Sequence, residues 1–188
     1  MKKLLLTAIF ICLLLQTYAQ NDRKVQSTQS ISIGLVGVGY SYEQAIADKF
    51  SVIGRVGVDG AGGYRNTDFW GISESYWFYS FHPSVGAEGR YYYNLQKRAE
   101  KGKSIDGNTG SFLAVNCGYL FKPIAKHNVD EKFSGFGASS YWGLRRIWNK
   151  HILFEFYAGL DFGWNNYYNN YNESKIGVRL GVLFGYKF

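Results

Sequence analysis

The sequence predicts an all-β protein, an eight-stranded antiparallel up-and-down transmembrane β-barrel after an N-terminal signal peptide. Several segments alternate apolar residues with small or charged ones, the period of a strand with two different faces. Aromatic residues make up 19% of the 188 residues, and 23 glycines stand against two prolines. An aromatic- and glycine-rich, proline-poor composition is typical of barrels with interfacial aromatic girdles. Apolar runs after the N-terminus are interrupted by glycine or charge, so any spanning must be done by strands.

We assign residues 1–19 to a signal peptide and residues 20–188 to the barrel. Lys2 and Lys3 precede an apolar run over 4–15, and a small residue, Ala19, ends the segment. The alternative is a retained membrane anchor, but the run is shorter than the ~20 residues that a spanning helix needs. We therefore expect export and a mature chain that begins at Gln20 and keeps one cysteine, Cys117.

The last thirteen residues, "IGVRLGVLFGYKF" (176–188), show the alternation most clearly. Every second residue from Ile176 to Phe188 is apolar, and the intervening residues are mostly glycine with Arg179 and Lys187. Small residues with a few charges fit the inside of a narrow closed barrel, so we expect the apolar face to meet lipid.

The same period marks the other strands. Segments that start near residues 50, 81, 113, 136 and 152 each alternate over about the length of a tilted membrane strand. We read 25–46 as two strands, 25–34 and 38–46, joined by a tight turn at Gly34 to Gly37. This division gives eight strands, as the even number in bacterial barrels requires, whereas one strand would give seven.

The connections should differ between the two ends of the barrel. Turns near 47–48 and 149–150 are short, and we expect loops over 60–78, 122–133 and 165–174 at the opposite end. The connection 95–110 is long and basic and lies on the side of the short turns. We expect a solvated loop there, with contact to periplasmic partners or peptidoglycan as the alternative.

The inward face carries five acidic and five basic residues. An eight-stranded barrel is only just wide enough for its side chains, so such charges must pair. We therefore expect a plugged polar lumen, with Arg179 paired to Glu155 or Asp161. The alternative, an ion or small-solute channel, would be lined by one sign of charge. The expected network, to which Lys187 adds a tenth charge, comprises Glu43, Arg55, Asp59, Glu88, Arg90, Arg145, Glu155, Asp161 and Arg179.

Two stretches, "SYEQAIADKFSV" (41–52) and "GRYYYNLQKRAEKGK" (89–103), resemble a family of small outer-membrane β-barrel proteins of Gram-negative bacteria. The resemblance is to the OmpX and OmpA-transmembrane-domain type, most of whose members are uncharacterised. It implies Sec-dependent export, contact with outer-membrane lipid and lipopolysaccharide, and a monomer. It also implies that the C-terminal Phe188 is an assembly signal read by the barrel-assembly machinery.

No enzymatic function is expected. His82, Ser84 and Glu88 offer the groups of an activated serine, as in lipid A-modifying outer-membrane enzymes, but all three face the lumen, away from lipid. A soluble lipocalin-like barrel would have to bury too many bulky aromatics from residues 152–164. No cofactor, metal site or nucleic-acid partner is indicated: the charge is +7, or +5 without Lys2 and Lys3. We expect a role in envelope structure or in binding a surface glycan or protein through the loops.

Overall fold

The computed structural model describes residues 24–34, 37–69, 72–128, 134–166 and 172–188, and the expected signal peptide lies outside these ranges. The chain forms an all-β antiparallel sheet of nine strands with one short helix and one 3₁₀ turn. The helix α1 spans Leu95–Glu100 and the 3₁₀ turn spans Asp106–Asn108. The strands are β1 Thr28–Gly34, β2 Gly37–Ala47, β3 Phe50–Phe69, β4 Ile72–Tyr91, β5 Ser111–Leu120, β6 Ala125–His127, β7 Ser134–Trp148, β8 Ile152–Asn166 and β9 Asn172–Lys187.

The sheet closes on itself. Each main strand pairs with the next along the chain, and β9 returns to pair with β1, so eight strands form a ring. The short strand β6 lies outside this order and pairs with β4 beyond the end of β5. A closed ring leaves no free edge among its eight strands except where one strand outruns its neighbour.

The division of residues 25–46 into two strands is confirmed. β1 and β2 form a tight hairpin in which Gly34 pairs with Gly37, and residues 35–36 lie outside the described ranges. The first strand begins at Thr28, three residues later than expected.

The expected loop at 60–78 is wrong, because β3 and β4 are 20 residues each and stay paired up to Phe69 and Ile72. The expected loop at 122–133 contains β6, and the one at 165–174 is shortened by the ends of β8 and β9. Strand pairing continues in each case after the apolar alternation of the sequence has stopped. An alternating apolar pattern is expected only where one face of the strand meets an apolar environment, whereas strand pairing depends on backbone hydrogen bonds that any sequence can form.

Pro83 lies inside β4, an unusual position for a proline because it cannot donate a backbone hydrogen bond. Its carbonyl accepts a hydrogen bond from Phe121 N at 2.9 Å, so its nitrogen points to the same side. On that side β5 pairing ends at Ser84 and β6 pairing begins at Phe81. The proline therefore lies where the ladder changes partner, and its missing N–H breaks no regular pair.

The connection 95–110 is only partly the solvated loop that was expected, with residues 96–97 and 100–104 exposed. It folds into α1 and the 3₁₀ turn, and Leu95, Ile105 and Asn108 are buried. Leu95 and Ile105 pack with Val25, Tyr92 and other buried residues in a small apolar cluster. We call the end of the ring that carries this connection and the turns at 48–49 and 149–151 the short-turn end, and the opposite end the long-strand end.

Burial follows the strand period and is inverted relative to a water-soluble protein. In β9, Ile176, Val178 and Leu180 expose 75%, 76% and 67% of their surface. By contrast, the charged residues Glu155 and Arg90 inside the ring are 1% and 2% exposed. Within the described ranges no helix is long and apolar enough to cross a membrane.

Glycines on the inward face make room for aromatic rings. Phe112 of β5 pairs with Gly143 of β7, and Tyr157 of β8 pairs with Gly181 of β9. A side chain on either glycine would overlap the ring opposite it. This explains Gly143 and Gly181: the rings fill the interior by lying across the neighbouring backbone.

Candidate functional site

The most distinctive site is a network of six charged side chains inside the short-turn half of the ring. They come from five strands, with one to two residues from each. We call this set the ionic network, and its members are Glu43 of β2, Arg55 of β3, Glu88 and Arg90 of β4, Arg145 of β7 and Glu155 of β8.

Glu155 is the centre of the network. Arg90 donates two hydrogen bonds to its carboxylate, at 2.7 and 3.1 Å, and Arg145 Nε donates a third. Arg55 Nη2 lies 3.9 Å from the same carboxylate. Three arginines therefore share one carboxylate that is almost completely buried, and they need further acids to balance them.

Glu43 supplies part of that balance from the far side of the ring. It accepts hydrogen bonds from Ser51 Oγ, from the Tyr92 hydroxyl at 2.9 Å and from Arg145 Nη1. The strands that carry Glu43 and Arg145 are four positions apart in the eight-strand ring, that is, on opposite sides. Their contact therefore crosses the interior.

Glu88 completes the set. It accepts a hydrogen bond from Arg90 Nε, and its other oxygen lies 3.0 Å from Arg55 Nη2. The network thus holds three acids and three bases, all of them fully buried except Arg55. The set is neutral, and Glu43, Arg90, Arg145 and Glu155 are joined by hydrogen bonds, which lowers the cost of burying their charges; Arg55 Nε and Glu88 Oε2 have no hydrogen-bond partner.

Aromatic rings support the network from the side. The guanidinium of Arg90 lies 3.9 Å from the centre of the Phe112 ring, and Phe112 in turn contacts Tyr92 and Tyr141. The predicted strand began at Leu113, so Phe112 was not among the expected inward residues. Phe112 could have been predicted to point inward, because it lies an even number of residues from Ala114 and Asn116 on the inward face.

Three of the expected network residues do not join it. Asp161 and Arg179 pair with each other at 3.4 Å and are 48% and 32% exposed, so this pair lies apart in a wetter region. Arg179 also lies over the rings of Tyr141 and Tyr157. Asp59 is exposed and lies further toward the long-strand end. The expected pairing of Arg179 with Asp161 is therefore found, but the pair is accessible to solvent and not enclosed in a dry lumen.

The connection 95–110 ties the short-turn end together. Asn108 accepts a hydrogen bond from Gln26 N at 2.7 Å and donates one to Gln26 O at 2.8 Å. Lys187, which was also expected to point inward, pairs with Asp106 at 3.0 Å. The segment before β1 and the last strand are thus both attached to the same connection.

The histidine and the carboxylate considered for catalysis make other contacts. His82 lies 3.1 Å from Ser80 Oγ and 2.9 Å from Phe121 O, and Glu88 is engaged by Arg55 and Arg90. The carboxylate is thus directed away from the histidine. Among the described residues no group of His, Cys, Asp and Glu could hold a metal ion.

Comparisons with known protein families, with curated proteins and with solved structures found no match.

Proposed function

We propose that the protein is an outer-membrane β-barrel of the small type that the sequence resembles, with a closed lumen and no enzymatic activity. Its role would be in envelope structure or in binding a surface ligand, such as a glycan or a protein, at the long-strand end. The single observation that carries this proposal is the inverted polarity of the ring, apolar outside and ionic inside. A membrane is the solvent that favours this distribution.

The exposed aromatics support a membrane position because they form two belts. At the short-turn end the rings of Phe50 and Tyr91 are 4.9 Å apart, and those of Tyr186 and Phe188 are 5.4 Å apart. A second group at the other end includes Tyr79, Phe81, Tyr119 and Phe121.

The separation of the belts suits a bilayer. Tyr91 follows Phe81 by ten residues in β4, which is ~33 Å along a strand or about 25 Å across a membrane at a tilt near 40°. Val85 and Ala87 face outward between them. An apolar band of about 25 Å is the height expected of outer-membrane barrels.

The ionic network supports a closed lumen. Contacts such as that between Glu43 and Arg145 cross the ring, and α1 and the 3₁₀ turn cover its short-turn end. A conducting pore would need a continuous water path, which this packing opposes. We therefore expect no stable conductance when the purified protein is added to a planar lipid bilayer.

Cys117 offers a direct test, since it is the one cysteine of the expected mature chain. It is exposed, faces outward and pairs with Ala87, between the two belts. A fluorophore on Cys117 should be quenched by brominated lipid and protected from aqueous iodide. The matched control is Cys117→Ser with Lys150→Cys, whose label lies in a turn at the short-turn end and should show the opposite behaviour. Equal iodide quenching at both positions would contradict the proposal.

A further inference from the structure

The two ends of the ring differ in charge. Connections 48–49, 95–106 and 146–150 at the short-turn end carry seven basic residues against three acidic ones, a net charge of +4. At the long-strand end, the described residues of 60–80, 121–128 and 164–175 include four basic and three acidic ones, a net charge of +1. The positive excess of the chain is therefore concentrated at one end, which we call the basic end.

The cations of the basic end are largely unneutralised within the protein. Lys97, Lys101 and Lys103 are exposed, and no ion pair in the described part of the chain involves them. Arg98 donates to the carbonyl of Ser104 at 3.0 Å and lies within electrostatic range of Arg146.

Two of the three acids at this end are already in ion pairs. Asp48 pairs with Lys24 at 2.8 Å, Asp106 pairs with Lys187, and Glu100 accepts a hydrogen bond from Gln96 at 3.1 Å. An excess of exposed cations over acids at one end of the ring favours an anionic partner.

The position of the cations indicates what kind of partner. Two of them lie beside the aromatic belt: Lys49 precedes Phe50, and Lys150 follows Trp148 by two residues, both rings being exposed. They also come from three connections spread around the ring rather than from one patch. A planar layer of headgroups reaches all three connections at once, whereas a single peptide or polymer strand would reach one or two.

We propose that the basic end binds the anionic headgroups of phospholipids in the leaflet that surrounds it. This inference rests on the proposed function, because it needs the apolar band to lie in a bilayer. Long basic side chains reach from the edge of such a band to the phosphates, and each one near an anionic surface is worth about a fivefold change in association. The contact would also fix which way the barrel faces in an asymmetric membrane.

The test uses the mature protein refolded in phosphatidylcholine bilayers that contain a trace of spin-labelled lipid. Insertion is checked first by the faster gel migration of the unboiled protein and by the Cys117 label. The motionally restricted fraction is then measured for spin-labelled phosphatidylglycerol and for spin-labelled phosphatidylcholine. We expect the anionic probe to associate several-fold more strongly at low salt, and the difference to shrink in about 1 M salt, where screening is nearly complete.

Two variants locate the effect. Lys97→Gln/Lys101→Gln/Lys103→Gln removes three exposed cations, so the ratio of phosphatidylglycerol to phosphatidylcholine association should fall close to one. Lys122→Gln/Lys126→Gln at the long-strand end should leave this ratio unchanged. An inserted wild-type protein without preference for the anionic probe overturns the inference and leaves the proposed function standing. The inference is also overturned if both variants lose the preference for the anionic probe to the same extent. A soluble peptidoglycan fragment that removes the preference at micromolar concentration overturns it in favour of a glycan partner. A protein that fails the insertion check refutes both proposals.

Discussion

Glu155 is the carboxylate on which three arginines converge, so its replacement is the most informative perturbation of the fold. Glu155→Gln keeps the size and shape of the side chain and removes only its charge. Two carboxylates would then face three guanidinium groups inside the ring. Breaking a buried ion pair in this way costs ~3–5 kcal/mol, because one charge is left buried without its partner.

The assay is urea unfolding of the refolded protein. With a slope of about 2 kcal/mol per molar urea, the expected cost lowers the midpoint by about 2 M. Asp161→Asn is the matched control, because this acid also pairs with an arginine but is 48% exposed. An exposed pair contributes ~0–1 kcal/mol, so the control should lower the midpoint by less than about 0.5 M.

A double-mutant cycle distinguishes charge balance from local damage. Arg90→Met combined with Glu155→Met removes one base and one acid, and the four remaining charges still form two balanced pairs. These pairs are Glu43 with Arg145 and Glu88 with Arg55. The double variant should therefore be more stable than Glu155→Met alone. Equal midpoints for Glu155→Gln and Asp161→Asn, or additive costs in the cycle, would refute the argument that a dry, balanced network holds the interior.

Three further changes test other parts of the structure by the same urea midpoint. Gly181→Ala should cost ~1–3 kcal/mol, because its methyl group would overlap the Tyr157 ring, whereas Gly177→Ala meets nothing within 4 Å and should be close to neutral. A similar midpoint for the two alanine variants would argue against the ring-on-glycine packing. Leu180→Arg should lower the stability of the folded protein in a bilayer by ~2–4 kcal/mol if the residue faces lipid near the midplane, while Leu180→Val should have little effect. An arginine variant as stable as the wild type would contradict the membrane proposal. Asn108→Ala removes both hydrogen bonds of this side chain to the segment before β1, so it should lower stability by ~1–3 kcal/mol and speed proteolysis within 95–110. Unchanged proteolysis would mean that this attachment does not hold the connection in place.

Several features of the fold were predictable from the sequence because they depend on a local period. The alternation of 176–188 predicted both the last strand and its exposed apolar face, and the glycine turn after Gly34 predicted the first hairpin. Parity also predicted that Glu43, Glu88, Arg90 and the other charges point inward. What parity cannot tell is the height of a residue along the ring axis, which depends on the register between strands that are distant in sequence.

The position along the ring axis separates the expected charged residues into a buried group and a solvent-accessible pair. Arg145 pairs with Glu155 by register, and both lie near the short-turn end, where the connection 95–110 and Phe112 exclude water. Arg179 and Asp161 lie further toward the long-strand end and stay accessible to solvent. The same ion-pair chemistry is therefore buried in one case and wet in the other.

The sequence by itself determined the strands, their two faces and the alternation of charge with glycine, because each follows from the two-residue period of an extended backbone. Only the tertiary structure decided which charges meet, that Glu43 and Arg145 contact each other across the ring, and that the basic connection folds back over the short-turn end. Those contacts join residues up to 102 positions apart in the chain. They exist because closure of the sheet brings opposite strands within reach of each other's side chains, a condition that no local pattern records.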